Sequence, residues 1–160
     1  MKYLNLILFS IVFSFTSFGQ EKNNIYKKQI DEIDAQIKII DSNSQKYVED
    51  YDIKPIKNIE LEERSWEAYY LKNNEKEPLR IKYNEFSPKK IIGIIIYYTN
   101  GEIIFAEYCE KYKKSKKIIV RTKFYFNNSK LIFKTNNKNS KFGLKELLNE
   151  EKLIKSGFIK

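Results

Sequence analysis

Any catalysis by this chain would have to run on carboxylates. The sequence has no histidine and one cysteine, Cys109. That removes the commonest general base and metal ligand, the usual structural zinc sets, and every Cys/His or Ser/His nucleophile pair. Five glycines in 160 residues leave no phosphate-cradling loop of either common type. All five aspartates fall between Asp31 and Asp52. Asp31 and Asp34 share a helix face and Asp50 and Asp52 flank Tyr51, positions that suit solvated helix charges and turn formers. A calcium loop needs oxygen ligands at closer, regular spacing and a glycine for its bend. No catalytic residue, metal site or cofactor is therefore expected. Glu107 stands apart. Strand pairing would set it opposite Ile94 on the buried side of a sheet, where an unpaired carboxylate is costly. It is expected to sit at a rim beside a lysine, with a pocket carboxylate as the alternative. Cys109, opposite Ile92 in the same pairing, is expected to act as a small apolar side chain.

Charge points to binding. The formal net charge is +9, and the stretch from Lys111 to Lys141 holds eleven cations and no acid. Within it Arg121, Lys123, Tyr125, Lys130 and Lys134 are expected to form one basic sheet face. Such a surface attracts an acidic protein, anionic lipid headgroups or polyanionic glycan through long-range fields. Tyr125 among cations also mimics a stacking platform for nucleic acid, but the apolar run Leu4 to Phe15 behind Lys2 has the pattern of an export signal, and expected export argues against nucleic acid as the partner. The competing explanation is that these lysines solvate an edge hairpin and block strand-to-strand aggregation.

The elements that must position these residues repeat. Tyr97-Tyr98-Thr99-Asn100-Gly101-Glu102-Ile103-Ile104-Phe105 is echoed by Tyr125-Phe126-Asn127-Asn128-Ser129-Lys130-Leu131-Ile132-Phe133. Each copy is an apolar run, a turn dipeptide tolerant of positive φ, and a second apolar run, so two tandem β-hairpins are expected with turns at Asn100-Gly101 and Asn127-Asn128. Regular pairing puts Tyr98, Ile103, Ile96, Phe105, Ile94 and Ile92 on one face of the first hairpin. Tyr97, Ile104, Ile95, Ala106, Tyr108 and Ile91 fall on the other. Both faces are apolar, so this hairpin should lie at the sheet's centre, covered on both sides. In the second hairpin Phe124 would face Leu131 and Thr122 would face Phe133, with Tyr125, Lys130, Lys123, Arg121 and Lys134 turned outward.

Tyr26, Ile30, Ile33, Ile37 and Ile40 lay an apolar stripe along a helix over about residues 21–41. Residues 42–65 read as a connector in which Pro55 stops any helix or central strand, with a short edge strand near Ile59. Strands are expected over 66–72 and 79–84, sheet structure to 134, a polar loop over 135–142 and a C-terminal helix over about 143–156. The fold class is α+β, an N-terminal amphipathic helix on a twisted antiparallel meander of about six strands.

Lys2, the apolar run Leu4 to Phe15 and the small residues of Ser17-Phe18-Gly19 form the pattern of a cleaved signal peptide over residues 1–19, leaving a single domain over 20–160 with no transmembrane segment. Ser-Phe-Gly before Gln20 is similar to signal peptides of Bacteroidota. The twice-used pattern aromatic-aromatic-x-Asn-x-Glu/Lys-Ile/Leu-Ile-Phe, following an export signal and a short helix, resembles small exported Bacteroidota proteins of uncharacterised function. That resemblance implies a compact α+β domain in the periplasm or outside the cell, and supplies no catalytic residues. The expected function is a non-catalytic binding module presenting the basic hairpin to an acidic partner, as a protein inhibitor or immunity-type protein does; the alternative is an envelope-associated module that binds anionic lipid or glycan.

Overall fold

The computed structural model describes residues 25–56, 64–135 and 140–158. The expected leader, the edge strand near Ile59 and residues 136–139 of the polar loop lie outside the described residues. A helix over residues 25–42 (α1) leads through a short 3₁₀ turn, Ser44–Lys46, into the sheet. Its strands are β1 (Val48–Ile56), β2 (Arg64–Lys72), β3 (Pro78–Phe86), β4 (Lys90–Thr99), β5 (Glu102–Tyr112), β6 (Ile118–Asn127) and β7 (Lys130–Lys134), followed by helix α2 (Leu144–Phe158). The seven strands form one antiparallel sheet in chain order.

The strand beyond the expected count is β1, which the sequence presented as a connector. Pro55 lies within it, opposite Ser65. A proline has no N–H to give a second neighbour, and among the described residues β1 has none, because it is the edge of the sheet.

The first turn is where the sequence put it, with Asn100 at φ 53° and Gly101 at φ 75°; the second is one residue later, with Asn128 at 48° and Ser129 at 58°. Past each turn the register shifts in the same way. Tyr98 opposes Ile103 as expected, but Tyr97 opposes Phe105, so Ile104 is an extra residue. Likewise Phe126 opposes Leu131 and Tyr125 opposes Phe133, so Ile132 is extra. The repeated Ile-Phe pair is thus a repeated β-bulge, which puts two residues of one strand against one of the other and re-aims the side chains beyond it.

The bulges correct the expected faces. Phe105 leaves the side of Ile94 and Ile96, while Ala106 and Tyr108 join it. Glu107 opposes Ile95 rather than Ile94, and Cys109 opposes Gly93 rather than Ile92. Phe124 opposes Lys134 rather than Leu131.

Each face of the sheet carries its own core, as the apolar character of both sides of β4 and β5 required. Beneath α1, Ile33 and Ile40 pack on Leu71, Tyr97, Phe105 and Tyr125, with Ile30 and Ile37 beside them. On the other face Leu147 and Ile154 of α2 pack on Ala68, Tyr70, Ile81, Ile96, Tyr98 and Phe124. The start of α2 is fixed locally: the Glu146 carboxylate accepts the Gly143 N–H at 3.0 Å, half of a capping box, and Phe142 stacks on Tyr108 at 3.9 Å between ring centroids. Tyr98, almost fully buried, donates its hydroxyl to Glu151 of α2 at 2.9 Å. The end of α1 is held by charge. The buried Arg80 guanidinium pairs with Asp41 and, at 2.9 Å, with Glu49 of β1, and the Tyr97 hydroxyl donates to Asp41 at 2.8 Å.

Candidate functional site

Strand pairing sets residues of the α1-side face in rows that cross the sheet. One row, Leu71, Arg80, Tyr97, Phe105 and Tyr125, lies beneath α1. The next is Tyr51, Tyr69, Lys82, Ile95, Glu107 and Lys123. The one after is Glu67, Asn84, Gly93, Cys109 and Arg121. In these two rows every residue is half-buried or exposed. Among the described residues they form an open half-face with two tyrosines at the β1–β2 end and Lys82, Glu107, Lys123, Glu67 and Arg121 distributed over it.

Its centre is a hollow of about 220 Å³ lined by Lys82, Asn84, Gly93, Glu107, Cys109, Lys111 and Arg121. Gly93 makes the floor. A Cβ there would stand 3.1 Å from Asn84 Oδ1, and Asn84 is itself held by donating Nδ2 to Glu67 at 2.9 Å. Arg121 Nε pairs with Glu107 at 3.1 Å across the same hollow. Glu107 therefore both lines a pocket and has a cationic partner, and that partner is an arginine rather than the expected lysine.

At the far end of the sheet from α1, two turns meet. The Lys113 N–H donates to the Lys89 carbonyl at 2.9 Å, and the Tyr112 N–H closes the β5–β6 turn on Lys117 at 3.0 Å. The result gathers Lys89, Lys90, Lys113, Lys114, Lys116 and Lys117, all exposed, at one tip. Glu110 sits below it, pairing with Lys90 at 3.2 Å and accepting the Tyr108 hydroxyl at 2.6 Å. Those bonds, led by the one from Tyr108, hold the Glu110 carboxyl below its usual range.

The expected basic face does not survive as one surface. Arg121 and Lys123 are on the open half-face beside the hollow. Tyr125 is buried beneath α1, edge-on to Phe105 at 5.0 Å, and burial pushes its hydroxyl up to about 12. Lys130 stands at the Asn128-Ser129 turn, the opposite end from the lysine tip. Lys134 is on the α2 side, its ammonium 5.2 Å from the centre of the Phe124 ring and donating to the Phe142 carbonyl at 3.3 Å. For Lys134 the reason is the bulge at Ile132, which puts Phe133 on the Tyr125 side and Lys134 on the Phe124 side; the one-residue move of the turn shifts partners by two and leaves Lys130 and Leu131 on their expected faces. Sequence reasoning missed Lys82, Asn84 and Gly93. The signal available was Gly93 itself, a lone glycine inside an isoleucine-rich strand, which marks a bulge or a close approach.

A second hollow, of about 270 Å³, lies under α2, lined by Asp52, Trp66, Tyr83 and Glu150 among others. The Trp66 and Tyr83 rings are 6.1 Å apart, and burial with the nearby Glu85 charge raises the Glu150 carboxyl above its ordinary value. Among the described residues no group of three or more histidine, cysteine, aspartate or glutamate side chains is placed to hold a metal ion, and no helix is long and apolar enough to cross a membrane. No family model matches the chain, and no curated protein or solved structure is similar enough to count as a match.

Proposed function

We propose that this chain is an exported, non-catalytic binding module that holds a polyanionic partner against the cationic end of its sheet. The observation that carries the reading is the bond between Lys113 and Lys89, which joins the β3–β4 and β5–β6 turns and concentrates lysines from two parts of the sequence at one tip. Lys82, Lys111, Arg121 and Lys123 continue that positive surface onto the open half-face. Clustered exposed lysines raise the local concentration of an acidic partner and speed its encounter, and the attraction weakens as salt screens it. An acidic cleft of a protein target, which an inhibitor or immunity-type protein would fill, and an anionic envelope component both present such charge.

Reversing Lys113, Lys114, Lys116 and Lys117 to glutamate tests the reading. Binding to an acidic polysaccharide, to anionic phospholipid vesicles and to acidic proteins captured from the periplasm is measured over a range of salt. The variant is expected to bind whichever partner the wild type selects at least about tenfold more weakly, with a shallower salt dependence. Equal binding by wild type and variant, at every salt concentration, would show that these lysines only solvate the end of the sheet.

A further inference from the structure

We infer that the open half-face is a binding platform for an acidic polysaccharide, with one anionic group of the polymer seated in the hollow over Gly93. The inference rests on the polyanion reading above and names the class of polymer.

Three features of the half-face select that class. The first is shape. The row from Tyr51 to Lys123 crosses six strands, a span of about 24 Å at the usual strand spacing, and an extended chain can lie along it. The second is an aromatic surface at one end. Tyr51 and Tyr69 stack at 5.7 Å with an interplanar angle of 23°, and Tyr51 is 63% exposed. A ring face of that kind packs against the apolar face of a sugar. The third is the distribution of charge. Lys82, Lys111 and Arg121 line the hollow with a single carboxylate, Glu107, which Arg121 pairs, so an anionic group resting on the Gly93 floor meets a lining of net positive charge. Glu67 and Glu107 stand in the same two rows, and each is an acceptor for hydroxyl donors.

That last feature separates glycan from nucleic acid. A single DNA strand carries one negative charge per unit, as a polyuronate does, but its sugar-phosphate backbone has no hydroxyls between the charges to donate to Glu67 and Glu107. A polymer with one acid group per sugar and hydroxyls between matches cations interleaved with carboxylates. Gly93 gives the hollow its depth: any larger residue would fill the floor and press on Asn84.

Cys109 is the sole cysteine in the chain and lines this hollow half-buried, so its alkylation rate reports occupancy of this place and no other. Polygalacturonate is expected to slow alkylation of Cys109 in the wild-type protein several-fold at saturation. Neutral glucan is expected to have no effect, and polyphosphate and single-stranded oligothymidylate are expected to bind the lysine tip without protecting the thiol. Lys82→Gln should weaken polygalacturonate binding about tenfold, the loss of a charge-assisted hydrogen bond. Gly93→Val should remove the protection, and Tyr51→Ser, an exposed edge substitution, serves the same purpose for affinity if the valine variant does not fold. Polygalacturonate that binds while leaving Cys109 fully reactive would overturn this inference and leave the polyanion reading standing. Equal protection by oligothymidylate would overturn the choice of glycan, and no binding by any of these polymers would overturn this inference and leave the polyanion reading to stand or fall on acidic proteins and anionic vesicles.

Discussion

Gly101 and Ser129 hold the same place in two equivalent turns, each with its backbone in the left-handed region. Glycine adopts that region freely, whereas an L-residue with a Cβ is strained there by about 1–2 kcal/mol. A Cβ at Gly101 would meet nothing within 4 Å, so only conformation is at stake. Gly101→Ala is therefore expected to lower stability by about 1 kcal/mol and Ser129→Gly to raise it by about 0.5 kcal/mol, read as shifts of the denaturant midpoint with an unchanged slope. Two glutamates make opposite contributions to the pH profile. The Glu110 carboxyl is held down by its hydrogen bond from Tyr108 and its contacts with Lys90. Its share of stability is present above the ordinary carboxylate value of about 4.3 and is lost as pH falls through the lower folded value. Glu150 is raised by burial and by Glu85, so its ionisation in the folded protein opposes stability at neutral pH. Glu110→Gln should flatten the acid limb of the profile. Glu150→Gln should stabilise at neutral pH, with the gain vanishing below about pH 4, where both folded and unfolded forms are protonated. Denaturation midpoints across that range check both.

At the scale of elements, the two bulges decide what α1 and α2 touch. Ile104 is the unopposed residue of its hairpin, with Ile103 opposite Tyr98 and Phe105 opposite Tyr97. Removing it leaves both of those pairs in place, so deletion of Ile104 should preserve the fold and cost about 1–2 kcal/mol for the half-buried side chain lost. Deleting Ile95, which is in register opposite Lys82 and Glu107, slips one part of β4 against the rest. A one-residue slip turns the slipped side chains to the wrong face, so that variant should fail to give a dispersed amide spectrum while the Ile104 deletion gives one. The ion pairs of Arg80 with Asp41 and Glu49 act between elements too, tying α1 and β1 to β3. Arg80→Met leaves both carboxylates without that partner and should destabilise by about 3 kcal/mol, near the low end for a broken buried pair because the carboxylates are partly exposed. Hydrogen exchange should then quicken first in α1 and β1.

The described residues form one sheet between two cores, and neither core has a sheet of its own. Losing either should therefore unfold both. The only tryptophan, Trp66, packs against the α2-side core, while far-UV circular dichroism reads all the strands. Their denaturation curves should coincide, as for a two-state domain. Leu147→Ala, at a fully buried site, should shift both together by about 3 kcal/mol. Separate transitions would show that one core persists without the other.

Composition, periodicity and turn chemistry were enough to derive an α+β meander, its helices, both tandem hairpins and a central hairpin covered on two sides, because apolar alternation and left-handed turn residues are local signals. The isoleucine stripe of α1 lies where its spacing put it. The site was much less legible. A strand's faces depend on pairing, and each bulge adds one residue that alternation alone does not reveal, so Phe105, Glu107, Cys109 and Lys134 all changed sides. β1 was hidden because an edge strand needs only one partner and can carry a proline. What the chain by itself determined was the kinds of residue present and the chemistry they rule out. Only the tertiary structure decided which of them meet: Lys89 beside Lys113, and Lys82 and Arg121 around Gly93. These contacts join different strands, and their distances depend on a register that no single stretch of sequence encodes.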